Sequence, residues 1–185
     1  IKQQTDYPYN GHVRLTVSGW QDMAKVLKLR IPYWSSNPTI MLNGHALSAP
    51  QAGSYYAIER IWHDGDVVDL DLGFRLRFWA GEKDYEGKSA IFYGPLLLCF
   101  DPYYDFHVDF EHLPRLDAQT MKISRVENAS YGGKLFTCTT ADGDSITLCD
   151  LYTAGISGNP YTTWFATDHV DKQPFSHDNI QRTMF

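Results

Sequence analysis

The sequence predicts an all-β protein, a jelly-roll-like β-sandwich made of two packed β units, with a barrel as the alternative closure. Three features carry that prediction. Apolar residues alternate with polar ones in run after run, tight-turn dipeptides separate the runs, and one stretch, SAIFYGPLLLCFD (89–101), is apolar on consecutive positions. A period of two is the signature of a strand with one covered face, and a continuous apolar run belongs where both faces are covered.

Taken along the chain, the alternating or β-branched runs are HVRLTV (12–17), KVLKLRI (25–31), TIMLN (39–43), YYAIERI (55–61), VVDLDL (67–72) and LRFWA (76–80). In VVDLDL, Val68, Leu70 and Leu72 point one way and Asp69 and Asp71 the other. SAIFY and PLLLCF (89–100) follow, then KLFTCTT (134–140) and SITLCDLY (145–152). Asn43-Gly44, Asp64-Gly65-Asp66 and Asp142-Gly143-Asp144 supply the positive-φ residues that hairpin turns require. Gly94-Pro95 inside the apolar stretch predicts a bulge or a break in pairing within a central strand.

Composition changes at DPYYDFHVDFEHLPRLDA (101–118), where aromatic, acidic and proline residues replace alternation. This places a β-sandwich over 1–101, a connection over 102–117, a smaller β unit over 118–167 and an irregular tail over 168–185. The tail packs on its own chain or docks on a neighbour. Sixteen basic against 22 acidic residues give a net charge of −6, and the basic residues are scattered. That balance argues against nucleic acid and anionic membrane as partners. No apolar stretch approaches the roughly 20 residues of a membrane span, and IKQQTDYPYNG has no signal-peptide core.

Candidate chemistry is sparse. Three cysteines, Cys99, Cys138 and Cys149, have no CxxC spacing and sit in apolar runs, which predicts buried free thiols. Ligand-type side chains occur at His63, Asp64 and Asp66, at His107, Asp109, Glu111 and His112, and at His169 and His177, but no spacing matches a zinc or calcium motif. On a strand, His107, Asp109 and Glu111 would share a face. Glycoside hydrolysis needs two carboxylates across the scissile bond. Glu59, Asp69, Asp71, Glu82, Asp84 and Glu86 are available, with nothing to single out a pair. No nucleophile elbow or phosphate loop is present. Aromatic residues make up 15% of the chain, and Tyr33, Trp34, Trp62, Trp79, Tyr103 and Tyr104 are the candidates for stacking on sugar rings. The competing role for each ring is core packing.

The order of five segments is more specific than any of these features. TDYPYNGHVRLTV, LKLRIPYWS, IMLNGHAL, GSYYAIERIWHDGDVVDLDLGFRLRF and SAIFYGPLLLCFD together resemble the β-sandwich region of the β-L-arabinofuranosidase family of glycoside hydrolases, family 127 and its relatives. The resemblance covers residues 5–101. Beyond 118 it narrows to SITLCDLYTAG and YTTWFATD, with Cys149-Asp150 standing where an apolar-Pro pair is usual. It implies an upstream (α/α)6 catalytic barrel as partner, holding a zinc-bound cysteine nucleophile and a glutamate acid/base. No catalytic residue carries over onto this chain, and the resemblance implies no cofactor within it. The expectation is a non-catalytic accessory region that braces the barrel and shapes substrate access. An autonomous carbohydrate-binding module that takes up a glycan is the alternative, and an enzyme in its own right is the third reading.

Overall fold

The protein is described by a computed structural model over residues 1–20, 23–126 and 134–171. Most of the 168–185 tail, His177 included, lies outside these described residues. Two compact units emerge. The first comprises 1–76 with 93–96, and the second 77–92 with 97–185.

The first unit is a two-layer sandwich. Strands β1 (Lys2–Thr5), β2 (His12–Thr16), β4 (Thr39–Leu42), β5 (His45–Ala46) and β7 (Val67–Asp71) form one sheet in the order β1-β2-β7-β4-β5. Strands β3 (Met23–Arg30) and β6 (Tyr55–Trp62) pair antiparallel as a two-stranded second sheet. Register explains the layering. Leu15 pairs with Val68, Val13 with Leu70, and Ile40 with Leu70, so the apolar alternates of β2, β7 and β4 share a face. From the other sheet Leu29 and Ile58 join them, and Trp62 closes the core with Leu72 and Val17. The fully buried Trp62 indole N–H donates to the Lys25 carbonyl at 3.0 Å, which satisfies its one polar atom.

Asn43-Gly44 forms the expected hairpin turn between β4 and β5, with positive φ at both residues. Asp64-Gly65-Asp66 does not form a hairpin. It carries the chain from β6 in one sheet to β7 in the other, and its backbone bonds to Val17 instead. The reason lies in the side chains. Asp66 accepts from the His63 N–H at 2.9 Å and from the Asn43 amide at 2.7 Å, while Asn43 accepts from the Val67 N–H at 2.8 Å. The two turns are thereby tied together at one end of the sandwich.

An aromatic cluster fills the other part of this unit. Phe74 receives Trp34, Tyr7 and Tyr93 edge-on, at centroid distances of 5.2, 6.4 and 5.6 Å. Gly94 packs so closely on this ring that a Cβ there would lie 2.5 Å from Phe74 Cδ2, and its φ of +56° already disfavours a side chain. The Gly94 glycine therefore serves a ring contact. Gly94-Pro95 is a turn, not a bulge: it joins β9 (Lys88–Tyr93) to β10 (Leu96–Cys99), which are neighbours in their sheet. SAIFYGPLLLCF is two strands of a hairpin where a single interrupted strand was expected.

The second unit is built on one eight-stranded sheet. Its path adds β11 (Leu116–Asp117), β12 (Ile123–Arg125), β13 (Leu135–Thr139), β14 (Ser145–Asp150) and β15 (Phe165–Asp168) in the order β11-β15-β9-β10-β14-β13-β12, and β8 (Leu76–Ala80) pairs with β9. Strands β9 and β10 are central, as their apolar sequence demands. Their pairing with β15 and β14 assigns most of 77–101 to the second unit, so the compact units divide the chain at a different place from the composition change at 101. Asp142-Gly143-Asp144 makes a true hairpin between β13 and β14. Strands β11 and β15 run parallel, with Asp117 opposite Asp168. Arg115 grips Asp168 and His169 pairs with Asp117 at 2.8 Å, so each of these facing carboxylates has its own cation or donor.

Candidate interaction surface

The polar residues singled out by sequence are occupied with holding the fold. Asp69 faces outward opposite Arg14 and accepts a forked pair of hydrogen bonds from it at 2.7 and 3.0 Å, with His12 at 3.3 Å. The Arg14 hydrogen bond and charge hold the Asp69 carboxyl below its ordinary value against the opposing effect of burial. Asp71 accepts from the Gly73 N–H at 2.7 Å, and Asp64 from the Gly19 N–H at 2.7 Å. Burial pushes the Asp66 pKa up, but the His63 N–H, the Asn43 amide and the Arg60 charge together outweigh it and hold the group low.

The segment 107–112 is a turn followed by a single 3-10 turn, Phe110–His112, and not a strand. Asp109 caps it, accepting from the Glu111 N–H at 3.0 Å and pairing with the His112 ring at 2.7 Å, which draws the His112 pKa up. Glu59 lies on the exposed side of β6, and Glu82, Asp84 and Glu86 are exposed in the loop after β8. Among the described residues there is no group of three or more His, Cys, Asp or Glu placed to hold a metal ion. Burial, with Asp150 and Asp101 nearby, pushes Cys99 up to about 12, and burial pushes Cys138 up to about 12, so both are held as thiols.

The six aromatic candidates scatter. Trp62 is fully buried and Trp34 nearly so, both in the first unit's core, so neither offers a ring face to a sugar. Tyr33 is exposed in the turn after β3, and Trp79 is half-buried on β8. Tyr103 is exposed and Tyr104 half-buried, meeting edge-to-face at 5.1 Å.

What the sequence reading passed over is the outer side of the β3–β6 ribbon. The facing pairs Ala24–Ile61, Val26–Glu59, Lys28–Ala57 and Arg30–Tyr55 all point away from the core and all are exposed. Ile61 is 53% exposed, Val26 46% and Tyr55 66%, while Arg30 lies over the Tyr55 ring at 5.5 Å. The second unit has a surplus of its own on the turn after β14, where Tyr152 and Ile156 are 81% and 70% exposed. The alternation was legible in VLKL and YAIERI. The presence of Val26 and Ile61 on the outer phase is the signal that could have marked this face.

This all-β sandwich fold is one that solved glycoside hydrolases carry as about a third of their length. One described simply as a glycoside hydrolase matches with TM-score 0.70 and 22% identity over 89% of this chain and 32% of its own. A GH127 beta-L-arabinofuranosidase from Geobacillus stearothermophilus T6 gives 0.70 and 21% over 89% and 30%. A third, a GH127 beta-arabinofuranosidase, gives 0.71 and 22% over 93% and 32%. At these identities the likeness is one of fold. In sequence, 109 residues, 54% of the chain, are 29% identical to a non-reducing end beta-L-arabinofuranosidase of Bifidobacterium longum subsp. longum, and the chain spans 16% of that protein's length. Residues 1–74 match the family described as beta-L-arabinofuranosidase, GH127 middle domain. Over those 74 residues the chain is similar to that family's middle domain.

Proposed function

We propose that this chain is a non-catalytic accessory region of a glycoside hydrolase, bracing a catalytic barrel of the same polypeptide and shaping one side of its substrate entrance. The observation that carries the reading is the match of residues 1–74 to a middle domain, a part defined by having other parts around it. The small share of each relative's length that the chain spans supports it. So does the exposed apolar outer face of β3 and β6, since isolated monomers seldom leave such residues grouped on one face without a use. By the same relationship the parent enzyme acts on arabinofuranosides.

Hydrolysis of aryl β-L-arabinofuranosides is the test. The isolated chain is expected to show no turnover, because retaining chemistry needs a positioned nucleophile and acid. Activity that survives repurification and is abolished by a substitution in this chain would overturn the reading. The competing reading, an autonomous carbohydrate-binding module, calls for several exposed rings on one strip. Tyr33 and Tyr103 are exposed but belong to different units. Saturable binding of arabino-oligosaccharides by the isolated chain, lost on Tyr103→Ala, would favour that alternative.

A further inference from the structure

The three cysteines are not equivalent. On the antiparallel pair β10 and β14, Cys99 lies directly opposite Cys149. Directly opposed residues project to the same face of a sheet. The Leu151 N–H donates to the Leu97 carbonyl at 3.0 Å, and counting two residues along each strand puts Cys99 and Cys149 at a hydrogen-bonded position. Such positions hold their Cα atoms about 5.5 Å apart, inside the range of about 4.4–6.8 Å that a disulfide spans. The Cys149 Sγ already sits 3.6 Å from the Cys99 carbonyl oxygen. Leu135 flanks the pair, with Tyr104, Val126 and Ala154 packed against it. Cys138 stands apart. It pairs with Ile146, three residues along β14 from Cys149, and an odd offset places it on the opposite face of the sheet.

We propose that Cys99 and Cys149 form a dithiol pair that closes to a cross-strand disulfide under oxidising conditions, while Cys138 remains a thiol. The oxidant is a low-molecular-weight disulfide. One cysteine, as thiolate, attacks it to give a mixed disulfide and release one small thiol. The second cysteine then attacks the protein sulfur of that mixed disulfide and releases the other small thiol. The protein loses two protons and two electrons, and the reagent takes them up to become two thiols.

Both thiols are fully buried, and Asp101 and Asp150 oppose formation of a negative sulfur beside them. A rise from 9.0 to about 12 at Cys99 removes about a thousandfold of the thiolate at neutral pH. The greater nucleophilicity of a more basic sulfur recovers only part of that loss, and full burial keeps a small disulfide away from both sulfurs in the folded chain. Closure therefore proceeds through opened states of the chain, and the closed bond is shielded afterwards.

The experiment equilibrates the protein in a mixed reduced and oxidised glutathione buffer, with and without guanidinium just below the unfolding transition, and maps peptides without reduction. The expected result is a Cys99–Cys149 crosslink that accumulates faster in guanidinium, in a protein with native circular dichroism and a raised melting temperature. The crosslink persists in Cys138→Ser and is absent in Cys149→Ser. A folded, oxidised protein without this crosslink would overturn the proposal. So would crosslinks that draw in Cys138 as often, or a Cys99–Cys149 species that has lost its native spectrum.

Discussion

Asp66 is one carboxylate that holds two turns at once, through the Asn43 amide and the His63 N–H. Its folded pKa lies below the ordinary value of 3.8, so the stability it contributes is fully present above about pH 4 and is lost as the pH falls through the folded value. Asp69, held low first by its Arg14 hydrogen bond, acts in the same direction. Asp66→Asn is expected to lower stability by about 2 kcal/mol at pH 7, the scale of hydrogen bonds to a charged group. The gap from the parent should close towards pH 2. Urea melts between pH 2 and pH 7 check this, and a gap that does not depend on pH refutes it.

Two glycines separate backbone from side-chain crowding at the same scale. At Gly73, φ is +60° and a Cβ would lie 1.7 Å from the Ser36 carbonyl oxygen, a backbone atom stitched in place by the Ser36 N–H to Gly73 carbonyl bond and by Ser35 Oγ donating to the Leu72 carbonyl. At Gly94 the obstacle is the Phe74 ring, which can turn. Gly94→Ala is expected to cost about 2 kcal/mol and Gly73→Ala about 4, adding left-handed strain to overpacking. Equal melting temperatures for the two variants would contradict this ordering.

At the scale of elements, β10 shows how far apolar sequence predicts burial. A strand buried on both faces predicts equal intolerance at Leu97 and Leu98, yet Leu98 is fully buried and Leu97 half-buried. Leu98→Asp puts an unpaired charge in the core and is expected to cost several kcal/mol, enough to abolish soluble yield. Leu97→Asp should fold with a melting temperature lowered by no more than about 8 °C, the shift of about 1 kcal/mol in a unit of this size. Loss of both variants would restore the symmetrical picture.

Strands with a clean period of two were legible because alternation is set by the pleat itself. Strands β1, β5, β11 and β12 were not, since KQQT, HA, LD and ISR carry no period and become strands only through their partners. The Asp-Gly-Asp signals show the same limit. Identical tripeptides make a hairpin at 142–144 and a crossing between sheets at 64–66, because a turn's local chemistry says nothing about which sheet receives the next strand. Aromatic identity was equally silent on place. Trp62 and Tyr103 look alike as stacking candidates, and only the register of β6 against β3 puts the first inside.

At the scale of the whole molecule, the exposed phase of β3 and β6 is where the proposed accessory role can be tested. If, as proposed, a neighbouring part of a longer polypeptide covers this face, Ile61→Lys is nearly neutral in the isolated chain, where Ile61 already meets water, and destabilising in the longer protein by about 2 kcal/mol, the burial value of one such side chain. Calorimetry of both forms measures the difference. Equal small effects in the two would remove this face from the interface.

The hairpin between β9 and β10 has its strands in the second unit and its tip, Tyr93–Leu96, in the first. The polypeptide therefore passes between units three times, near 76, 92 and 96. A gene segment ending at residue 74, where the match to the middle-domain family ends, would encode all seven strands of the first sandwich and yet omit Tyr93 and Gly94, the residues that close over Phe74. Shuffling by recombination favours modules with one entrance and one exit. This sandwich is interleaved with its successor, so the two are expected to be inherited, duplicated and lost as one hereditary block.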